Sequence, residues 1–275
     1  MASSYAARPA SARSFGGPNQ APGDRLASVR RVSRLRPRLA GALLALAALT
    51  GPAAPALAQA APVAGFPDPP PYEQHMESDC EAAAASLAFS LIGMDVSEGQ
   101  IMSMLPMDSR PPEMRNGAVV RWGSPDLEFV GDPNGWLPWL PGAAAYGYAY
   151  GVYTDPLAQA LAPLDSQISG GRHITSDQLK AALADARPVV VWLPDQTFFR
   201  TERIGPMQGS WTTWDGGTAQ FAYREHAQVL LSYGPSGYRL ANIGYEQSRS
   251  RFINLWSDAE FERGYALLDD MALIL

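Results

Sequence analysis

The chain has a single cysteine, Cys80, and three histidines, His75, His173 and His226. Cysteine catalysis needs a thiolate, a base to pair with it, a group that orients the base, and donors for a developing oxyanion. Cys80 follows the polar run "YEQHMESD" and opens the alanine-rich run "CEAAAASLAFSL". It therefore stands where a helix begins, whereas a packing cysteine usually sits within an element as a small hydrophobe. A helix N-terminus offers free N–H groups and partial positive charge, and both favour thiolate over thiol. Among the histidines, His75 lies in the polar lead-in. His173, in "SGGRHIT", reads as a surface loop residue, and His226 opens the strand-like "EHAQVLLSYG", where a ring can project at a sheet edge. Glu81 adds a negative charge beside the thiol. Ser78 followed three residues later by Glu81 fits a capping box, which would hold that carboxylate away. With the helix start and a His226 imidazolium acting on it, the thiol pKa is expected to be depressed on balance. Cys and His are too few and too scattered for a structural zinc site. No metal or cofactor is expected.

These residues need elements to position them. The pattern predicts a helix from about Cys80 to Leu91 and a second, opened by Ser97, over Val96–Leu105. A third follows Asp155-Pro156, with proline at a permitted first-turn position, and a fourth spans Thr175–Ala186. The β-branched run Arg187–Leu193 reads as a buried strand. Ala227–Gly234, Gly237–Gly244 and Arg263–Leu268 read as antiparallel strands, with a hairpin turn at Pro235–Gly237. Ser257 opens a short helix over Trp256–Arg263. Residues 106–150 are loop-rich. Their aromatic residues and neighbours, Trp122, Trp136, Trp139, Tyr146, Tyr148, Tyr150 and Tyr153, either line a cleft or pack loops onto the sheet. Helices first and strands later predict an α+β fold, with a helical part carrying the cysteine and a C-terminal antiparallel sheet carrying His226.

The N-terminal sixty residues differ in kind. An arginine-rich front is followed by the apolar run Leu39–Leu49, too short to span a bilayer, and by small-residue cleavage sites after Ala58 or Ala60. Residues 1–60 are expected to be a basic leader with a secretory signal. The front is long enough to suggest an initiation site nearer Val29 or Val32. Residues 61–73 form a proline-rich lead-in and 74–275 the globular domain. Residues 1–58 carry eight arginines and one acid, which leaves 13 basic and 26 acidic residues and a net charge of −13 in the remainder. So acidic a body disfavours nucleic acid and anionic membrane surfaces. The mature chain is expected to be secreted or at the cell surface, without stable membrane insertion. One cysteine in an exported chain cannot form an internal disulfide.

The ordered stretches Gln74-x5-Cys80, "FVGDPNG", "GYAYGVYTDPLAQAL", "LKAALADARPVVVWL", "EHAQVLLSYG", "YRLANIG" and "LWSDAEFERGYALL" resemble papain-superfamily cysteine peptidases. More narrowly, they resemble the bacteriocin-leader (double-glycine) peptidases and their secreted stand-alone relatives, over roughly residues 70–275. The resemblance implies a papain-like fold and hydrolysis of a peptide or protein substrate. It implies Cys80 as nucleophile, His226 as general base and acid, and Asn242, sixteen residues after His226, as the group orienting the imidazole. It implies Gln74 as the oxyanion-hole side chain, joined by the backbone N–H of Cys80. Two positions depart from the family pattern: Glu81-Ala82 stands where many members have Gly-Pro, and Asn242-Ile243 where many have Asp-Pro. Transporter segments that accompany true leader peptidases are missing, so removal of a double-glycine leader is not the expected task. Two other readings compete. A cell-wall amidase of the NlpC type also uses Cys and His, but its histidine follows within several tens of residues, and here 146 residues separate the two. A secreted binding module of the same fold with a weak or inactive site is suggested by Glu81.

Overall fold

The computed structural model describes residues 64–140, 142–201, 208–244 and 252–275. The expected leader and signal, residues 1–60, lie outside them. In chain order the elements are β1 (Ala64–Gly65), α1 (Cys80–Leu91), α2 (Glu98–Met104), β2 (Met107–Asp108), β3 (Glu113–Arg115), β4 (Ala118–Trp122), β5 (Phe129–Gly131) and α3 (Ala143–Tyr146). There follow β6 (Ala149–Gly151), α4 (Thr154–Leu161), β7 (Ser169–Gly171), α5 (Ser176–Ala184), β8 (Val189–Pro194), α6 (Gln196–Thr201), β9 (Gln208–Thr213) and β10 (Thr218–Ala222). The last are β11 (Glu225–Gly234), β12 (Gly237–Asn242), β13 (Ile253–Trp256), α7 (Asp258–Tyr265), a 3-10 turn (Ala266–Leu268) and β14 (Ala272–Ile274). No helix among the described residues is long and apolar enough to cross a membrane.

The organising layer is a seven-stranded antiparallel sheet ordered β13-β12-β11-β8-β14-β7, with β1 also paired to β11. Its centre is written in the sequence: "VVVWLP" of β8 is buried at every position, as a strand covered on both faces must be. Helix α1 packs against β11, β8 and α2, and Ala82, Ala83, Ala84, Ala85 and Ala88 are all 0% exposed. Alanine carries no side chain beyond Cβ, so the helix axis can lie close to the sheet. Leu87 and Phe89 belong to the same buried cluster as Val190, Trp192, Val229 and Leu231. The opposite face is covered by Leu179 and Leu183 of α5 and Phe261 and Tyr265 of α7, against Val189, Val191, Leu193 and Leu240.

Three helix starts form as their caps predict. Ser97 with Gln100, Thr175 with Gln178 and Ser257 with Glu260 each form a complete capping box. The hairpin at Pro235-Ser236 joins β11 to β12 with Gly234 opposite Gly237.

Two expectations fail. Arg263–Leu268 is not a strand: α7 runs to Tyr265 and continues as a 3-10 turn. Phe261, Tyr265 and Leu268, all buried, lie at the i, i+4, i+7 spacing of a helix face. The strand of this region is β14, which lies between β8 and β7. Residues 106–150 are also more ordered than a loop-rich reading allows. They supply the three-stranded sheet β2-β5-β6 and half of a four-stranded sheet ordered β10-β9-β4-β3. The β9–β10 hairpin turns on "WDGG", where Thr213 N–H donates to the Gly217 carbonyl. That turn signal with alternating Trp211, Thr213, Ala219 and Phe221 was available in the sequence.

Candidate active site

The loop from Gln74 to Asp79 sets where α1 begins. It is tied to the neighbouring sheet by a bridge between Glu73 and Gly244. It is tied to the 131–136 turn by Ser78, whose N–H donates to Pro133 O at 2.9 Å and whose hydroxyl donates to Gly135 O at 2.8 Å. Asp79 is the N-cap residue, but its side chain caps nothing. The expected Ser78–Glu81 box is therefore absent. Glu81 turns inward to 1% exposure, and its Oε1 accepts the N–H of Val152 at 3.0 Å. Gly151 makes that position accessible. It holds φ +128, and a Cβ there would lie 2.0 Å from Glu81 Oε1.

A cleft of about 430 Å³ opens at this helix start. Gln74 and Cys80 at the helix start, and His226 and Asn242 on the distant β11–β12 hairpin, all line it. Cys80 is partly buried, and the backbone N–H of Ala227 points at its Sγ from 3.5 Å. His226 is the second residue of β11, opposite Leu193 on β8. Gln228 is opposite Asn242 on β12. Because side chains alternate along a strand, His226 and Gln228 share a face, and Asn242 is the diagonal neighbour of His226 on it. Gln74 is 4% exposed, and its Nε2 donates to Met76 O at 2.7 Å. An amide nitrogen carries two hydrogens, so one is left for another acceptor. Trp136, Leu137 and Leu140 also line the cleft. The aromatic residues divide between both expected roles: Trp136 and Tyr150 line the cleft, while Trp122 is fully buried.

The other histidines lie elsewhere. His75 is exposed and pairs with Glu98, Nδ1 to Oε1 at 3.0 Å. His173 is an exposed loop residue with φ 59.

The electrostatics overturn one expectation. Burial, reinforced by the charges of Glu81 and Glu225, pushes the Cys80 thiol well above its ordinary value. Burial pushes His226 down to about 4, with the Asp195 carboxylate pulling the other way. At rest the two groups are thus a neutral thiol and a neutral imidazole, not a thiolate–imidazolium pair. The helix start is present but is outweighed by desolvation. Asp79, also buried, is pushed up to about 8 by desolvation and by Glu98.

Sequence reasoning assigned no role to Glu225 and Asp195, both of which line the cleft. Glu225 directly precedes His226 on β11 and approaches Cys80 and Glu81. One donor atom from each of these three residues lies within 4.8 Å of the others. Burial pushes Glu225 up to about 8, while a hydrogen bond with Tyr150 works in the opposite direction.

No family model and no curated protein matches the chain. Among solved structures, a candidate C39-like peptidase from Bacillus anthracis superposes with a TM-score of 0.59 at 20% identity, covering 77% of this chain and 96% of that one. The chain therefore has the mixed α/β fold, with antiparallel sheets, of that C39-like peptidase.

Proposed function

We propose that the protein is a cysteine peptidase acting outside the cytoplasm, with Cys80 as nucleophile, His226 as general base and acid, Asn242 orienting His226, and Gln74 donating to the oxyanion. The observation that carries this reading is the meeting of these four residues in one cleft at the start of α1. The fold shared with a C39-like peptidase agrees with it.

The chemistry follows from the neutral resting pair. Cys80 attacks the substrate carbonyl as His226 takes the thiol proton, so thiolate forms only along the reaction path. The carbonyl oxygen becomes an oxyanion beside the Gln74 amide and the backbone N–H of Cys80, which as the first residue of α1 has no partner within the helix. The tetrahedral intermediate collapses, the C–N bond breaks, and the leaving amine takes the proton from the imidazolium. Water then attacks the acyl-enzyme, giving its proton to His226. The carboxylic acid leaves and the thiol is restored.

One observation favours a second reading. A thiol and imidazole held neutral suit a binding module with a weak site. A peptidyl electrophile directed at thiols separates the two. On the peptidase reading it labels Cys80, labelling is lost in Cys80→Ala and slowed in His226→Ala, and peptide libraries are cleaved by wild type only. Equal labelling of wild type and His226→Ala, with no cleavage, would establish the binding module instead. The leader is proposed to be removed after Ala58 or Ala60. N-terminal sequencing of exported protein that still carried Leu39–Leu49 would refute this.

A further inference from the structure

Two buried carboxyls beside a nucleophilic sulfur work against thiolate formation, so their placement calls for another explanation. Glu81 is 1% exposed, and one of its oxygens, Oε2, is buried without a hydrogen-bond partner. Oε1 of Glu225 is likewise buried and unpartnered. Both carboxyls converge on Cys80 Sγ, with one donor atom from each of the three residues within 4.8 Å of the others. Buried carboxylate oxygens without partners are costly unless they are protonated or bind a cation.

We propose that Cys80, Glu81 and Glu225 form a site for a zinc-class divalent cation, and that filling it switches the nucleophile off. A thiolate among the donors selects a borderline-soft metal over calcium or magnesium. Zinc–sulfur bonds of about 2.3 Å and zinc–oxygen bonds of about 2.0–2.2 Å require donors roughly 3.5 Å apart, inside the 4.8 Å within which these donors already lie. The fourth position is left for water from the cleft, which Cys80 and Glu225 both line. Tyr150, hydrogen-bonded to Glu225, would orient that ligand from behind, as partners of metal ligands do. On loading, the thiol proton and the protons held by the carboxyls pass to solvent. Three negative donors meet two positive charges, and affinity rises with pH. The inhibitory consequence rests on the peptidase reading; the site itself does not.

Cobalt(II) is the probe, because a thiolate ligand gives it a near-ultraviolet charge-transfer band. Titrating the purified protein is expected to develop that band to one equivalent, and the band should be absent in Cys80→Ser. Glu81→Gln and Glu225→Gln should each weaken binding by about tenfold or more. Zinc should protect wild-type Cys80 from iodoacetamide but protect the two glutamine variants poorly. Glu225 is the less buried of the pair, so its variant keeps the test open if Glu81→Gln does not fold. A wild type without the band, or unchanged affinity in both folded variants, would overturn the site. Peptide hydrolysis is followed separately with a chelator present. Hydrolysis without a cobalt band overturns the metal site alone, and a cobalt band without hydrolysis overturns the peptidase reading alone.

Discussion

Glu225→Gln should change how stability depends on pH, in a direction opposite to most surface carboxylates. Burial lifts the Glu225 carboxyl from an ordinary 4.5 to about 8. Between those values the folded chain keeps a proton that the unfolded chain has released. The folded state thus binds more protons, and stability falls as pH rises through the window. The difference between 4.5 and 8 corresponds to about 5 kcal/mol for an isolated group. Glu81 titrates with Glu225 and is raised by burial first and by the Glu225 charge second, so the span belongs to the pair. Replacing Glu225 with a neutral amide should remove its share of that span, on the order of a few kcal/mol. At about pH 5 the acid is protonated, and the amide, nearly the same shape, should match wild type to within about 1 kcal/mol. At about pH 8.5 the variant should be the more stable by that amount, read from urea unfolding midpoints at equal m-values. The charge of Glu225 also holds the Cys80 thiol up, so iodoacetamide should alkylate the variant faster at the higher pH. Equal differences from wild type at both pH values would show that Glu225 is an ordinary solvated carboxylate and would refute the argument.

Asn242→Ala should lower turnover more than stability, whereas Asn242→Asp should keep much of the activity, because a carboxylate accepts the same hydrogen bond; equal turnover of both with wild type would remove the residue from the site. Gln74→Ala should reduce turnover by about 10²–10³-fold while leaving Cys80 alkylation nearly unchanged, since an oxyanion donor acts on the transition state; parallel loss of both would point to a misfolded loop. Gly151→Ala should destabilise the fold by about 2–4 kcal/mol, combining backbone strain at φ +128 with displacement of Glu81 from the Val152 N–H; thermal unfolding checks this, and a neutral effect would show that Glu81 can leave its niche freely.

How far the fold and the site are legible in this chain is clearest in four stretches of the same kind. Ser97-x-x-Gln100, Thr175-x-x-Gln178, Ser257-x-x-Glu260 and Ser78-x-x-Glu81 all carry the capping-box pattern, and the first three form it. Their hydrogen bonds are exposed, so the alternative to the local bond is water, and the local bond prevails. At the fourth, the helix start is covered by other chain segments. The Ser78 hydroxyl meets the Gly135 carbonyl 57 residues away, and Glu81 meets the Val152 N–H 71 residues away. A pattern of four residues cannot contain those partners. For the same reason β8, β11 and β12 were legible from composition and alternation, while the burial of Glu81 was not.

At the thiol, a tertiary contact of this kind reverses a local inference. Helix start, adjacent acid and distant histidine were all visible, and the local accounting favoured a thiolate. That accounting set Glu81 aside in a cap and let His226 be charged. Once the structure buries Glu81 beside Glu225, burial and these two carboxyls both disfavour a negative charge on the sulfur. Once it buries the imidazole, the compensating positive charge is not there at rest. Desolvation acts on the two groups in opposite directions, lifting the acid and lowering the base, so both are held neutral at rest. Activation by proton transfer during attack, rather than by a standing ion pair, is the chemistry that such a site permits.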